Sequence, residues 1–416
     1  MIGRSMQSTP KTLRLHIGIF GRRNVGKSSL LNAITRQQVS IVSAFAGTTT
    51  DPVEKPMELL PFGPVLFVDT AGVDDEGALG ELRMARTRAV LDRVDLGVLV
   101  TEAGGWGAFE ESLLAELAGR RVKALVVFNK ADERRPSAED VARIEAAGLP
   151  FVVLSATTGE GILDLREALL RLAPAEFLET RSLISDLVPA GETAVLVIPI
   201  DKEAPKGRII LPQVMAIRDL LDGGAMALVA QAHELRRALE SLTRPPALVV
   251  TDSQAFGEVA ADVPPGVPMT SFSILMARFQ GDLAEQVRGT LAIERLGEGD
   301  RILVAETCTH HPIGDDIGRV KIPRWLEEYV GAPLVFEHVQ GRDFPATSVL
   351  QRYKLIVHCG NCTGNRREMV SRILRAKTAG VPITNYGLTI AYSLGIFERA
   401  LVPFPAALEA YHAAAV

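Results

Sequence analysis

Residues 21–28 read Gly-Arg-Arg-Asn-Val-Gly-Lys-Ser, the pattern GxxxxGK[ST], set between the apolar run LRLHIGIF and the helix-forming SSLLNAI. Strand, glycine-bearing loop and helix in that order make a phosphate cradle. Gly21 and Gly26 let the backbone curl, so that N–H groups from Val25 to Ser29 face an anion. Lys27 brings a point charge to the outer phosphates, and the Ser28 hydroxyl suits Mg²⁺.

The rest of the first third reads as the sheet behind that loop. From Leu13 to about Ala173 the strand-like runs VLFVDT, LGVLVTE, VKALVVFNK and FVVLS alternate with helical segments such as ELRMARTRAVLDR and ILDLREALLRL. Continuous apolar character, rather than every other residue, argues a parallel sheet covered by helices on both faces. Near APAEFLETRSL the pattern breaks. TAVLVIPI, QVMAIRDLLDGG, AMALVAQ and PPALVVTD then form a small α/β segment. After Val259–Pro268, RILVAETC, PLVFEHVQ, YKLIVHC and VPITNYG alternate with helical stretches as a third, doubly wound unit. The expectation is an α/β protein of three domains, at 1–173, 182–262 and 268–416, in keeping with a chain of 416 residues. The apolar GRIILPQVM of the middle segment reads either as an internal strand or as an edge strand that pairs with a second copy.

Three more motifs close predicted strands. Asp69-Thr70-Ala71-Gly72 puts a carboxylate where it can hold a metal's water shell and a glycine N–H where it can sense a terminal phosphate. In Asn129-Lys130-Ala131-Asp132, a carboxylate at Asp132 accepts two N–H bonds from guanine, for which adenine has no matching donors. Ser155-Ala156-Thr157 offers backbone to the guanine O6. Between the first two motifs, Thr48, Thr49 and Thr50 are placed to reach Mg²⁺ once the γ-phosphate orders their loop. These five elements, in order and at strand ends, resemble the guanine-nucleotide motifs of the small GTPase superfamily.

Two details refine that resemblance. Val73 follows DTAG where many such GTPases carry a water-orienting glutamine. Asn24 resembles the potassium-dependent branch that includes TrmE and Era, in which this asparagine helps bind K⁺ in place of an arginine finger.

Composition narrows the setting. Forty-five Lys and Arg against 50 Asp and Glu leave a net charge of −5, so there is no overall positive field for nucleic acid or anionic lipid. Nor is there an apolar run long enough for a membrane span, or a secretory start. An odd count of three cysteines excludes a disulfide framework and fits a reducing compartment, so the expected location is cytoplasmic.

Those cysteines fall together. Cys308-Thr309-His310 ends one predicted strand, and His358-Cys359-Gly360-Asn361-Cys362 ends another and enters a helix. In one parallel sheet their C-terminal ends share an edge, where open α/β sheets place ligands. The helix N-terminus is expected to favour thiolate at Cys359 and Cys362. Structural Zn²⁺ held by Cys₃His and an iron–sulfur cluster with one non-thiolate position both satisfy this spacing.

A potassium-type GTPase segment, a small middle segment and a C-terminal CxH…HCxxC segment together resemble the [FeFe]-hydrogenase maturation GTPases, the HydF family, over essentially the full chain. The resemblance implies a [4Fe-4S] cluster held by Cys308, Cys359 and Cys362, with an exchangeable fourth ligand for which His358 and His310 are the candidates. It implies a scaffold that binds GTP or GDP, receives a di-iron unit with CO and CN⁻ ligands built with radical-SAM partner enzymes, and passes it to the apo-hydrogenase. It also implies a dimer through the middle domain. The competing expectation is a regulatory GTPase of RNA modification or ribosome assembly with a structural zinc domain. The net charge and the lack of an RNA-binding motif speak against it.

Overall fold

The computed structural model describes residues 10, 13–35, 53–59, 63–70, 87–174, 181–200, 209–307, 316–341 and 343–414. The chain divides into two compact units, Met1–Thr180 and Arg181–Val416.

The first unit is built on a six-stranded sheet in the order β2-β3-β1-β4-β5-β6. Its strands are β1 (Leu15–Phe20), β2 (Val53–Leu59), β3 (Gly63–Asp69), β4 (Leu96–Glu102), β5 (Lys123–Asn129) and β6 (Phe151–Val153). β2 pairs antiparallel with β3 and all other pairs are parallel. Successive residues of β3 point to opposite faces, and both faces are apolar. Val65 and Phe67 join one core cluster with Leu30 and Leu31 of the helix Lys27–Thr35, while Leu66 and Val68 join another with Leu113 and Leu117 of the helix Ala108–Gly119. This two-sided burial is why the strands read as continuous apolar runs. Truncating Phe67 to alanine in such a core costs about 3–5 kcal/mol.

The second unit carries two four-stranded parallel sheets. The first, in the order β10-β9-β7-β8, contains β7 (Thr193–Val197), β8 (Met226–Ala230), β9 (Leu248–Thr251) and β10 (Met269–Ser271). The second, in the order β12-β11-β13-β14, contains β11 (Arg301–Ala305), β12 (Val335–Val339), β13 (Leu355–His358) and β14 (Ile383–Asn385). One apolar core runs through both, with Val195 and Val249 of the first sheet and Ile302 and Val357 of the second in the same cluster. The helix Phe272–Gln280 follows β10 directly and adds Ile274, Leu275 and Met276 to that core. Asp219 fastens the entry to this unit, since one of its carboxylate oxygens accepts the N–H groups of Leu183, Ile184 and Ser185 at 2.8–2.9 Å.

Two sequence expectations meet a different arrangement here. β10 lies beyond the 182–262 boundary, yet it completes the middle sheet by pairing with β9. The GRIILPQVM segment is not a strand over its described residues. Leu211–Asp222 is a helix with Pro212 in its first turn, and the Gln213 side chain accepts the Ile210 N–H at 2.9 Å. Proline preset for the first helical turn and this one-sided Gln213 cap outweigh the strand propensity of two isoleucines. The sheet's exposed edge is β8 instead, where Met226 and Val229 are about half exposed. No helix among the described residues is long and apolar enough to cross a membrane.

Candidate nucleotide and thiol sites

The phosphate loop runs from the end of β1 into the helix Lys27–Thr35. Gly21, Asn24 and Gly26 all take positive φ, at 146°, 63° and 90°. A Cβ on Gly21 would collide with the Val100 carbonyl, and one on Gly26 would collide with Asn129 Nδ2. Both positions therefore require glycine for space as well as for conformation. Asn24 is exposed at the turn of the loop. Val25 is buried, and Lys27 Nζ donates to the carbonyls of Gly21 at 2.8 Å and Arg22 at 2.6 Å. The ammonium thus rests on the loop whose anion it would meet, while Ser29 follows within the helix's first turn.

Ser28 Oγ donates to Asp69 Oδ2 at 3.0 Å, and among the described residues the buried Asp69 Oδ1 has no hydrogen-bond partner. Burial pushes the Asp69 carboxyl above its ordinary value, against the opposing pull of Lys27 and Ser28. An orphaned carboxylate oxygen beside a hydroxyl is a donor set that suits Mg²⁺ and its water shell.

Asn129 braces the base side. Its Nδ2 donates to the Val25 carbonyl at 2.8 Å and its Oδ1 accepts the Ala156 N–H at 3.0 Å, linking three of the predicted motifs. Lys130 takes φ 58° and pairs with Glu102 at 2.9 Å. Asp132 is exposed, and Ser155 is buried with its Oγ accepting the Thr158 N–H. Thr48, Thr49, Thr50 and Gly72 lie outside the described residues.

The sequence reading missed one pair. Arg22, at a variable position of the loop, forms two 2.9 Å bonds to the buried carboxylate of Glu110 and stacks on Phe109. Glu110 also accepts the Gly107 N–H. Eighty-eight residues separate the two partners, so no local spacing announces them.

In the second unit, β11 and β13 are neighbours in register Ala305↔His358, and Cys359 N–H donates to the Ala305 carbonyl at 2.9 Å. Thr307, the residue before Cys308 in sequence, donates its N–H to Cys359 Sγ at 3.3 Å and its hydroxyl to Asn361 Oδ1 at 2.7 Å. Asn361 adopts φ 55° and reaches the Asn365 carbonyl, and Asn365 caps the helix Arg366–Ala379. Cys308 and His310 lie outside the described residues. Among the described residues no group of three or more His, Cys, Asp or Glu is placed to hold a metal ion.

The thiolates expected at Cys359 and Cys362 meet an opposing effect in this packing. Burial raises the Cys359 thiol and pushes Cys362 up to about 11, with Cys359 adding to the effect. Desolvation of the two neighbouring thiols disfavours their charged form and opposes the help of a nearby helix N-terminus. Soft sulfur donors, one of them already accepting an N–H bond, suit zinc or iron–sulfur chemistry.

His358 is fully buried, and both of its ring nitrogens are engaged. Nδ1 lies 2.7 Å from the Cys359 carbonyl and Nε2 lies 2.9 Å from Arg372 Nη1. A guanidinium only donates, so Nε2 accepts and Nδ1 carries the proton. Burial and the neighbouring Arg372 charge lower the imidazole to about 3, which keeps it neutral.

Comparison with known proteins follows these divisions. Residues 16–130 match the family of 50S ribosome-binding GTPases, residues 183–281 the hydrogen maturase F dimerization domain, and residues 284–403 the hydrogen maturase F tetramerization domain. A tRNA modification GTPase MnmE from Synechococcus sp. is 40% identical over 158 residues, 38% of this chain and 34% of the relative. A GTPase Der from Wolinella succinogenes is 34% identical over 179 residues, 40% of this chain and 37% of the relative. The chain thus spans about a third of the length of these curated relatives. A solved structure of Era from Aquifex aeolicus bound to GDP·AlF4⁻ is 26% identical, covers 40% of this chain and 57% of that one, and has a TM-score of 0.36.

Proposed function

The chain belongs to the hydrogen maturase F family, and on that premise we propose that it is a GTP-hydrolysing scaffold and carrier for [FeFe]-hydrogenase maturation. The observation that carries this reading is the run of two family domains over residues 183–403, with the Thr307–Cys359 contact lying in it at the shared edge of β11 and β13. A regulatory GTPase of RNA modification or ribosome assembly would account for residues 16–130 alone.

In the first unit, Lys27 neutralises the outer phosphates, Ser28 and Asp69 hold Mg²⁺ with one of Thr48–Thr50, and the Gly72 N–H senses the γ-phosphate. Asn129 ties the loop to the base pocket, Asp132 selects guanine, and the backbone at Ser155 and Ala156 meets its O6. Asn24 would supply a ligand to K⁺, which when bound would bring positive charge to the phosphates in place of an arginine finger.

In the second unit, Cys308, Cys359 and Cys362 would hold a [4Fe-4S] cluster, with the Thr307 N–H bonded to one sulfur. When bound, that cluster supplies an iron with a non-thiolate position at which a di-iron CO/CN⁻ precursor can attach. The precursor is then the cargo, received with radical-SAM partner enzymes and delivered to apo-hydrogenase in the cytoplasm. Oligomerisation through the middle sheet presents the sites in more than one copy. GTP turnover serves as a conformational or partner-release signal.

Anaerobic reconstitution of the full chain followed by iron, sulfide and zinc analysis, and then activation of apo-hydrogenase, tests the reading. Iron and sulfide in equal amounts with activation support it. One tightly bound zinc and no sulfide would replace it with the zinc-bearing regulatory GTPase.

A further inference from the structure

We propose that Arg372 is a positioning residue that holds His358 off the metal, so that the position not filled by a cysteine stays open for an incoming group. The inference rests on the reading of the thiol site given above.

The geometry is that of a lock on the imidazole. Arg372 lies on the helix Arg366–Ala379 with its side chain 4% exposed. Besides Nε2 of His358, its guanidinium reaches the Gly341 carbonyl at 2.7 Å and Glu368 Oε1 at 2.6 Å, and it stacks on the Phe344 ring at 5.2 Å. Four neighbours thus set its plane, and Glu368 balances its charge. Phe344 also packs against the His358 ring, with centroids 6.3 Å apart.

A histidine binds metal through an unshared nitrogen lone pair. At His358 the Nε2 lone pair faces the Nη1 donor of a guanidinium, which offers no acceptor, and Nδ1 carries a hydrogen committed to the Cys359 carbonyl. The other tautomer offers no escape. It would free Nδ1 only by placing an N–H on Nε2, directly against the Nη1 hydrogens of Arg372. The ring next to Cys359 in sequence is therefore excluded from ligation at both nitrogens while Arg372 is in place. It serves the site differently, donating its Nδ1–H to the Cys359 carbonyl while the Thr307 N–H is donated to the Cys359 sulfur.

This arrangement has a chemical consequence. Three thiols and no imidazole from HCxxC leave the fourth position to a donor other than His358, or to an incoming group. An arginine at 372 thus sets how readily the site accepts a second metal fragment.

The test uses the full chain labelled with ¹⁵N-histidine. In the metal-free protein, long-range ¹H–¹⁵N spectra should show His358 as the Nδ1–H tautomer, assigned by its loss in His358→Ala. After anaerobic reconstitution, pulsed electron paramagnetic resonance of the reduced cluster should show the same histidine couplings in wild type and His358→Ala. Arg372→Met should gain a nitrogen coupling that disappears in Arg372→Met with His358→Ala. Arg372→Lys, which keeps the charge but cannot span His358, Gly341 and Glu368 together, should show the same gain in a fraction of molecules, and it decides the matter if the methionine variant does not fold. A His358 coupling in the wild type, or no gain in either Arg372 variant, overturns the inference while leaving the cluster reading intact. A wild type that takes up no iron and sulfide sinks the cluster reading, and this inference with it.

Discussion

Asn129 Nδ2 donates to the Val25 carbonyl at 2.8 Å, joining the end of β5 to the phosphate loop across 104 residues. The same amide accepts the Ala156 N–H, so one side chain sets the spacing between the phosphate and base ends of the nucleotide site. Asn129→Ala leaves a buried carbonyl without its partner, which costs about 1–3 kcal/mol of stability. It should also weaken GDP binding by tenfold or more. Urea denaturation and titration with a fluorescent GDP analogue measure the two effects, and an unchanged GDP affinity would refute the bracing role.

Base choice is expected to rest on Asp132. Replacing it with asparagine exchanges two acceptors for an amide donor, which suits the C2 oxygen of xanthine. Asp132→Asn should lose GTP affinity and gain affinity for xanthosine triphosphate. An unaltered nucleotide preference in competition binding would count against this assignment.

Hydrolysis is expected to respond to K⁺ through Asn24. At equal ionic strength the rate in K⁺ should exceed that in Na⁺, and Asn24→Ala should remove the difference. The left-handed φ of 63° tolerates alanine poorly, so Asn24→Gly serves as the control for backbone strain. Equal steady-state rates in the two salts would dismiss a K⁺ site.

Each of Cys308→Ser, Cys359→Ser and Cys362→Ser should abolish or severely reduce iron and sulfide content after anaerobic reconstitution, and hydrogenase activation with it. GTP hydrolysis should persist, because the thiols belong to the second compact unit and the phosphate loop to the first. Three serine variants that still activate hydrogenase would end the carrier reading.

Oligomerisation is expected to use the exposed edge β8. Val229→Lys places a charge on an apolar edge strand and should lower the mass of the full chain in light scattering, with the fold retained by circular dichroism. An unaltered mass would move the interface elsewhere.

The sequence by itself determined the chemistry-bearing loops and the strands that present them. GRRNVGKS, DTAG and NKAD carry their functional groups and turn residues within a few positions, and β1, β4 and β5 are continuous apolar runs because both faces of their sheet are covered. The strand ends that carry the CxH and HCxxC motifs were legible for the same local reason, and β11 and β13 are neighbours in one parallel sheet. Only the tertiary structure decided which distant groups meet. Arg22 finds Glu110, Asn129 finds Val25, and Arg372 closes off His358, pairings set by how helices dock on sheets rather than by spacing along the chain. It also decided that residues 211–215 form a helix start rather than an edge strand, since a cap and a proline in the first turn outweighed local strand propensity. Likewise β10, three residues long and too short to declare itself, became a strand because β9 presented an open row of hydrogen-bonding groups beside it.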